Sequence, residues 1–149
     1  MYSVNIKDYE VKESSNKGIN KEWSLGEYYG IHRRKHDHTP YNEGSDFEVN
    51  GMKISVKSPK ATLMSGRYCT DCEDFEAILK KYLETTHSDT VVFITDDFEA
   101  YYMNMVEFTK FIQCFGYLKK DSEQNGGYTK IAILAESKKM KRWLDKATA

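Results

Sequence analysis

Apolar residues alternate with polar ones over residues 47–56, and this pattern predicts a β-hairpin. The alternation runs on both sides of Asn50-Gly51, a dipeptide that suits a two-residue turn because both residues adopt positive φ at low cost. A turn of that length fixes the strand pairing, so the apolar side chains share one face. The opposite, polar face of the predicted hairpin holds Asp46, Glu48, Lys53, Ser55 and Lys57.

Patterns elsewhere in the chain predict the element order α, β-hairpin, α, β, β, α, β, α. Helical spacing of apolar residues predicts helices over residues 20–29, 75–83 and 104–115, the first capped by Asn20, and a last helix capped by Ser137. Apolar and β-branched runs predict strands over residues 90–95, 100–103 and 128–134. These elements indicate one α/β domain over residues 1–149, with residues 1–16 as a candidate flexible segment.

Composition narrows the class of protein. The chain has 149 residues, of which 40% are hydrophobic and 30% charged, as expected for a soluble globular domain. Its net charge of −1 argues against a protein that coats nucleic acid without specificity. No apolar run approaches the roughly 20 residues of a membrane span, and the polar N-terminus does not resemble a secretory signal. With three cysteines and no disulfide spacing, the sequence favours a cytoplasmic protein that does not contact membranes.

The polar face of the hairpin supports two interpretations. Mg²⁺ binds carboxylate oxygens and water, and a nearby ammonium group can stabilise the negative charge of a phosphoryl transition state. Asp46 and Lys57 are the residues of this face that would take those roles. A charged outer face is also the ordinary solvated side of a hairpin, so the alternation alone leaves both interpretations open.

Residues 45–58, SDFEVNGMKISVKS, resemble the core of PD-(D/E)XK nucleases, in which an Asp opens one strand and (D/E)-X-K closes the next. The resemblance makes Asp46 a metal ligand and Lys57 the catalytic lysine. Residues 17–22, KGINKE, are similar to the family's first-helix segment, and Glu22 takes the place of its metal-site glutamate. A restriction-endonuclease-like mixed β-sheet flanked by helices, and a Mg²⁺ or Mn²⁺ cofactor, follow as expectations.

The sequence departs from the family pattern two residues before the lysine. Ser55 occupies the acidic position, and a hydroxyl is a poorer ligand for Mg²⁺ than a carboxylate. Glu48 lies on the same predicted face and is the carboxylate that can replace it, as a further metal ligand and catalytic residue. Ser45 stands where the family often has proline.

A basic loop rich in histidine, residues 32–38 (HRRKHDH), precedes the hairpin. Its histidines, His32, His36 and His38, can ligate Zn²⁺, although a structural zinc site requires a fourth ligand. We favour a solvated basic segment that contacts nucleic-acid phosphates. The predicted nucleic-acid-binding residues are Arg33, Arg34, Lys35 and, after the hairpin, Lys60.

Two further features carry weaker signals. Cys69 and Cys72 form one CxxC pair, which we interpret as having no metal or redox role because no second pair follows. The last predicted helix carries cations that can extend a phosphate-binding surface but also fit a solvated helix face. These are Lys138, Lys139, Lys141 and Arg142.

Three classes of function remain for testing. The resemblance favours a metal-dependent nuclease that hydrolyses phosphodiester bonds, with DNA a better candidate than RNA. The second class is a nuclease-like scaffold without activity, such as an anti-CRISPR or anti-restriction inhibitor from a phage or mobile element that binds a host defence protein or nucleic acid. The third is a recombination or junction-processing subunit that acts as a homodimer.

Overall fold

The computed structural model describes residues 1–31, 47–64, 74–120 and 129–149. The helices are α1 (Lys17–Tyr28), α2 (Phe75–Thr85), α3 (Met105–Phe115) and α4 (Lys138–Thr148). The strands are β1 (Tyr2–Asn5), β2 (Phe47–Val49), β3 (Met52–Lys57), β4 (Thr62–Met64), β5 (Thr90–Ile94), β6 (Glu99–Asn104), β7 (Gly116–Lys120) and β8 (Thr129–Ile133). Among the residues described, no helix combines the length and apolar character needed to cross a membrane.

The strands form two sheets, and the predicted α/β class is confirmed. A five-stranded mixed sheet has the order β1-β6-β5-β3-β2, in which β3 and β5 run parallel and the other neighbours antiparallel. A three-stranded antiparallel sheet has the order β4-β8-β7. Because β3 and β5 are parallel, their carboxyl ends lie at the same edge of the larger sheet.

The hairpin forms with the predicted turn and register. Asn50 and Gly51 have φ values of 51° and 77°, the positive values that a two-residue turn of this kind requires. Cα pairing joins Phe47 to Ile54, Glu48 to Lys53 and Val49 to Met52. The expected pairing of Asp46 with Ser55 lies outside the described residues.

Two apolar clusters cover the two faces of the larger sheet. The face that carries Ile54 packs with Leu25 of α1 and Val92 of β5. The opposite face carries Val91 and Phe93, which pack with residues of α2, α3, α4 and the smaller sheet. Ser55 and Lys57 pair with Val91 and Phe93 in register and lie on that second face. The polar face predicted for the hairpin is therefore partly covered by α2.

Helix α1 begins earlier than the sequence pattern predicts. Asn16, and not Asn20, is the N-terminal cap, because its side chain accepts hydrogen bonds from the backbone N–H groups of Gly18 and Ile19. Asn20 lies inside the helix, where its side chain bonds to the backbone of Ser14. The prediction of Asn20 as the cap was wrong because both asparagines satisfy the same local pattern.

The predicted starts of α3 and α4 and the predicted end of α3 agree with the structure. Asn104 and Glu107 form a reciprocal capping box at the start of α3. Ser137 caps α4 by accepting a hydrogen bond from the backbone N–H of Met140. Gly116 follows α3 directly and has little space, since a Cβ built there would lie 2.6 Å from the carbonyl oxygen of Ile112. This close approach explains why the chain turns from helix to strand at a glycine.

Three strands have no counterpart in the sequence predictions. Strand β1 lies within residues 1–16, the candidate flexible segment. It pairs with β6. Strand β4 has only three residues, and β7 exposes nearly all its side chains. Short strands and exposed edge strands are held by main-chain hydrogen bonds more than by side-chain burial, so they leave little alternation in the sequence.

Candidate functional site

A cleft of about 980 Å³ opens at the edge of the larger sheet where β3 and β5 end. The start of α1, the turn after β3, the turn after β5 and the segment before α4 form its walls. Crevices at the carboxyl ends of parallel strands are common ligand sites in open α/β sheets. The charged side chains around this cleft are Lys17, Lys21, Glu22, Lys57, Lys60, Asp96 and Glu136.

The turn after β3 places Lys60 at the cleft with an unusual backbone. The N–H of Ala61 bonds to the carbonyl oxygen of Ser58 at 2.9 Å, which closes a turn with Pro59 at its first central position. Lys60 occupies the second central position with φ of 68°, where glycine is the usual residue. A lysine in this conformation costs on the order of 1 kcal/mol. The turn therefore holds the cation of Lys60 at the cleft in a strained backbone conformation.

Helix α1 contributes a buried lysine, paired with an exposed aspartate, and a buried carboxylate to the same cleft. Lys21 is only 5% exposed, and its Nζ lies 2.7 Å from Oδ1 of Asp96 in the turn after β5. Pairing with Asp96 offsets part of the cost of removing the lysine from water. Glu22 is likewise 5% exposed, next to this link between helix and turn. Lys21 thus ties the beginning of α1, which also carries Glu22, to the turn after β5 at the sheet edge.

Lys57 ends β3 and is half-buried between the cleft and α2. Its Nζ lies 5.5 Å from the centroid of the Tyr82 ring. A cation at that distance over an aromatic face is held by the negative face of the ring. The interaction holds the ammonium group on the side of the sheet that α2 covers, whereas α1, which carries Glu22, packs against the opposite face.

The Ser55 hydroxyl forms a hydrogen bond with another serine. Its Oγ lies 2.7 Å from Oγ of Ser88, and both residues are 6% exposed. The position that is acidic in the nuclease pattern is thus a neutral, buried hydroxyl that bonds to another hydroxyl. A carboxylate there would have to lose its water beside Ser88, which explains how a serine suits this packing.

The structure brings some predicted site residues together and separates others. Glu22, Lys57 and Lys60 all line the cleft. Glu48 is exposed and pairs with Lys53, four positions before Lys57, so it lies about 13 Å along the strand from that lysine. The predicted residues outside the described parts of the chain are Asp46, Arg33, Arg34, Lys35, His32, His36, His38, Cys69 and Cys72.

The described residues do not complete a metal site. Within residues 1–31, 47–64, 74–120 and 129–149, no three His, Cys, Asp or Glu side chains come close enough to hold an ion. Glu22 is the one predicted carboxylate at the cleft among them. Mg²⁺ is commonly held by one or two carboxylates together with substrate phosphates, and the second predicted ligand, Asp46, lies outside the described residues.

Sequence reasoning missed several residues that line the cleft. Lys21 and Asp96 are unremarkable in the sequence, since one precedes the predicted ligand Glu22 and the other begins a turn. A usable signal existed for Asp96, because an acidic residue directly after a buried strand lies at the strand's carboxyl end. No local pattern identifies Lys21 or Glu136, whose places depend on how α1 and α4 pack.

Tyr82 provides a stability prediction. Its hydroxyl is buried and has no hydrogen-bond partner, the only side-chain polar atom of this kind in the described part of the chain. We expect Tyr82→Phe to leave the free energy of unfolding unchanged or to raise it by about 1 kcal/mol, because it removes an unsatisfied group and keeps the ring. Urea denaturation measures this difference.

The matched control for Tyr82 is Tyr101→Phe. The Tyr101 hydroxyl donates to Asp145 at 2.8 Å and accepts from Lys141 at 2.7 Å. Its removal is expected to lower the free energy of unfolding by about 1 kcal/mol. A loss in Tyr82→Phe as large as that in Tyr101→Phe would show that the Tyr82 hydroxyl has a partner in solution.

Comparison with known proteins identifies no relative of this chain. No protein-family model matches the chain, and searches of curated proteins and of solved structures find no match.

Proposed function

We propose that this protein binds nucleic acid in the cleft and hydrolyses phosphodiester bonds, with DNA as the preferred substrate and Mg²⁺ or Mn²⁺ as the cofactor. The observation that carries the proposal is that Glu22 and Lys57, distant in sequence, line one cleft at the carboxyl end of β3. These are two residues whose roles the nuclease-like motif assigns to one site. The parallel pairing of β3 with β5 across a connection that contains α2 is compatible with the mixed sheet of that fold.

The chemistry assigned to the chain follows from charge and position. The ammonium group of Lys57 can stabilise negative charge on a phosphate group of a nucleic-acid strand bound along the cleft. Lys60 and Lys17 are exposed at the same cleft and can bind neighbouring phosphates. The buried carboxylate of Glu22 supplies oxygen ligands, and a bound divalent metal would supply charge neutralisation and activation of water.

Purified protein, incubated with labelled single- and double-stranded DNA and RNA, tests the proposal. Cleavage is expected with Mg²⁺ or Mn²⁺ and not with EDTA, and Asp46→Ala and Glu22→Gln are each expected to reduce it at least about 100-fold. Glu84→Gln, which alters an exposed carboxylate on α2, controls for the loss of charge. Circular dichroism shows whether each variant folds. If no substrate is cleaved by the wild-type protein, or if Asp46→Ala cleaves equally well, the proposal is wrong.

A specific observation favours a second candidate function. The hydrogen bond between the buried hydroxyls of Ser55 and Ser88 occupies the position where the nuclease pattern has a carboxylate. A nuclease-like scaffold that inhibits host defence by binding a partner would tolerate this change. Such a protein would capture its partner equally well with Lys57→Ala, whereas metal binding that depends on Asp46 would support the nuclease.

A further inference from the structure

Helix α4 presents a band of positive charge to solvent. The band consists of Lys138, Lys139, Arg142 and Lys146, all of them exposed. At 100° per residue these four side chains fall within an arc of about 100°. The opposite side of the helix buries Met140 and Leu144 in the core. The orientation of the band toward solvent is therefore fixed by packing.

The one acidic residue of α4 is neutralised by a separate contact. Nζ of Lys141 lies 2.8 Å from Oδ1 of Asp145, and the Tyr101 hydroxyl donates to the same oxygen at 2.8 Å. Hydrogen bonds from Lys141 and then from Tyr101 hold the pKa of the Asp145 carboxyl below its usual range. Asp145 is thus paired with Lys141 and Tyr101. None of the four cations of the band has an ion-pair partner among the described residues.

The charge of the band contrasts with that of the whole chain. The protein has a net charge of −1, so four cations on one side of one helix represent a concentration of charge and not a general excess. Charges confined to one face attract a polyanion to that face. A protein that bound polyanions everywhere on its surface would show the excess in its total charge.

The band begins directly after the segment that forms one wall of the cleft. Glu136 lines the cleft, Ser137 caps α4, and Lys138 begins the band directly after them. From Lys138 to Lys146 the helix rises about 12 Å, at 1.5 Å per residue. One strand of B-DNA places a phosphate every 3.4 Å or so along its axis, so the band spans about three or four phosphates.

We infer that the α4 band is a second contact for nucleic acid, which binds the phosphate backbone of duplex DNA next to the segment held in the cleft. The inference rests on the proposed function for the nature of the ligand. Contacts between lysine or arginine and phosphate carry no sequence information, so this face contributes affinity and orientation and not recognition of particular bases.

Fluorescence anisotropy with labelled duplex DNA in EDTA tests the inference without cleavage. The variant Arg142→Gln/Lys146→Gln removes half of the band. Its matched control, Lys80→Gln/Lys110→Gln, removes the same charge from exposed positions on α2 and α3. We expect the first variant to bind about tenfold to 100-fold more weakly near 0.1 M salt, with a salt slope reduced by about 1.8, and the control to bind within about twofold of wild type.

The outcomes separate this inference from the proposed function. Weaker binding in the α4 variant alone supports the band even if no DNA is ever cleaved. Equal binding by both variants overturns it even if wild-type protein cleaves DNA, and so does failure of wild-type protein to bind the duplex. If polyglutamate competes with labelled duplex as well as unlabelled DNA does, the face is a surface for acidic proteins and the inference is wrong.

Discussion

Under the proposed nuclease function, Lys57→Ala is expected to reduce the rate constant for DNA cleavage by about 100-fold or more while DNA affinity falls by less than about tenfold. The loss of one group that stabilises developing charge typically costs 100-fold to 1,000-fold in rate, or roughly 3–4 kcal/mol. Affinity changes less because Lys60 and Lys17 remain at the cleft to bind phosphate. Single-turnover cleavage measures the rate constant, and anisotropy in EDTA measures the affinity.

Lys53→Ala is the matched control for Lys57→Ala. Lys53 belongs to the same strand and the same face of the sheet, but it is exposed next to the hairpin turn and does not line the cleft. Its contact with Asp89 uses the backbone N–H, which the substitution keeps. Cleavage by Lys53→Ala should stay within about twofold of wild type. Equal loss in both variants would indicate a general effect of positive charge and would contradict a catalytic role for Lys57.

The features of the fold that sequence predicted are those encoded by neighbouring residues. Asn50-Gly51 determines both the turn and the register, so residues 47–56 could be assigned with their pairing. The apolar run at β5 and the capping box of α3 carry their own signals in the same way. Strands β1 and β7 could not be predicted, because each forms against a partner strand and exposes much of its own surface.

The cleft shows a similar division. The motif resemblance assigned Glu22 and Lys57 to one site, and the structure has both residues lining the cleft, Glu22 from α1 and Lys57 from the end of β3. Sequence could not show that Lys21 would be buried and paired with the exposed Asp96, because that pair joins α1 to a turn many residues away. Nor could sequence show that the Ser55 hydroxyl would form a hydrogen bond with the Ser88 hydroxyl, or that Glu48 would lie away from the cleft. Each of these depends on packing between elements, which local patterns do not record.

Phe111→Ala is expected to lower the free energy of unfolding by about 3–5 kcal/mol, the range for deleting a buried phenylalanine. Phe111 is fully buried, and its ring centroid lies 5.0 Å from Phe93, 5.4 Å from Phe115 and 5.8 Å from Trp143. The ring therefore joins β5, α3 and α4, and its removal leaves a cavity at the place where the three elements meet.

Val106→Ala on the same helix is the control for Phe111→Ala. Val106 is 65% exposed, so its truncation should change the free energy of unfolding by less than about 0.5 kcal/mol. Urea denaturation of both variants measures the difference, and a loss below about 1 kcal/mol in Phe111→Ala would show that this part of the core is not closely packed.

Because Trp143 of α4 packs on Phe111, Phe111→Ala should also loosen α4 before global unfolding. Hydrogen exchange at α4 should then rise more than exchange at α1, whose buried Leu25 packs on the other face of the sheet.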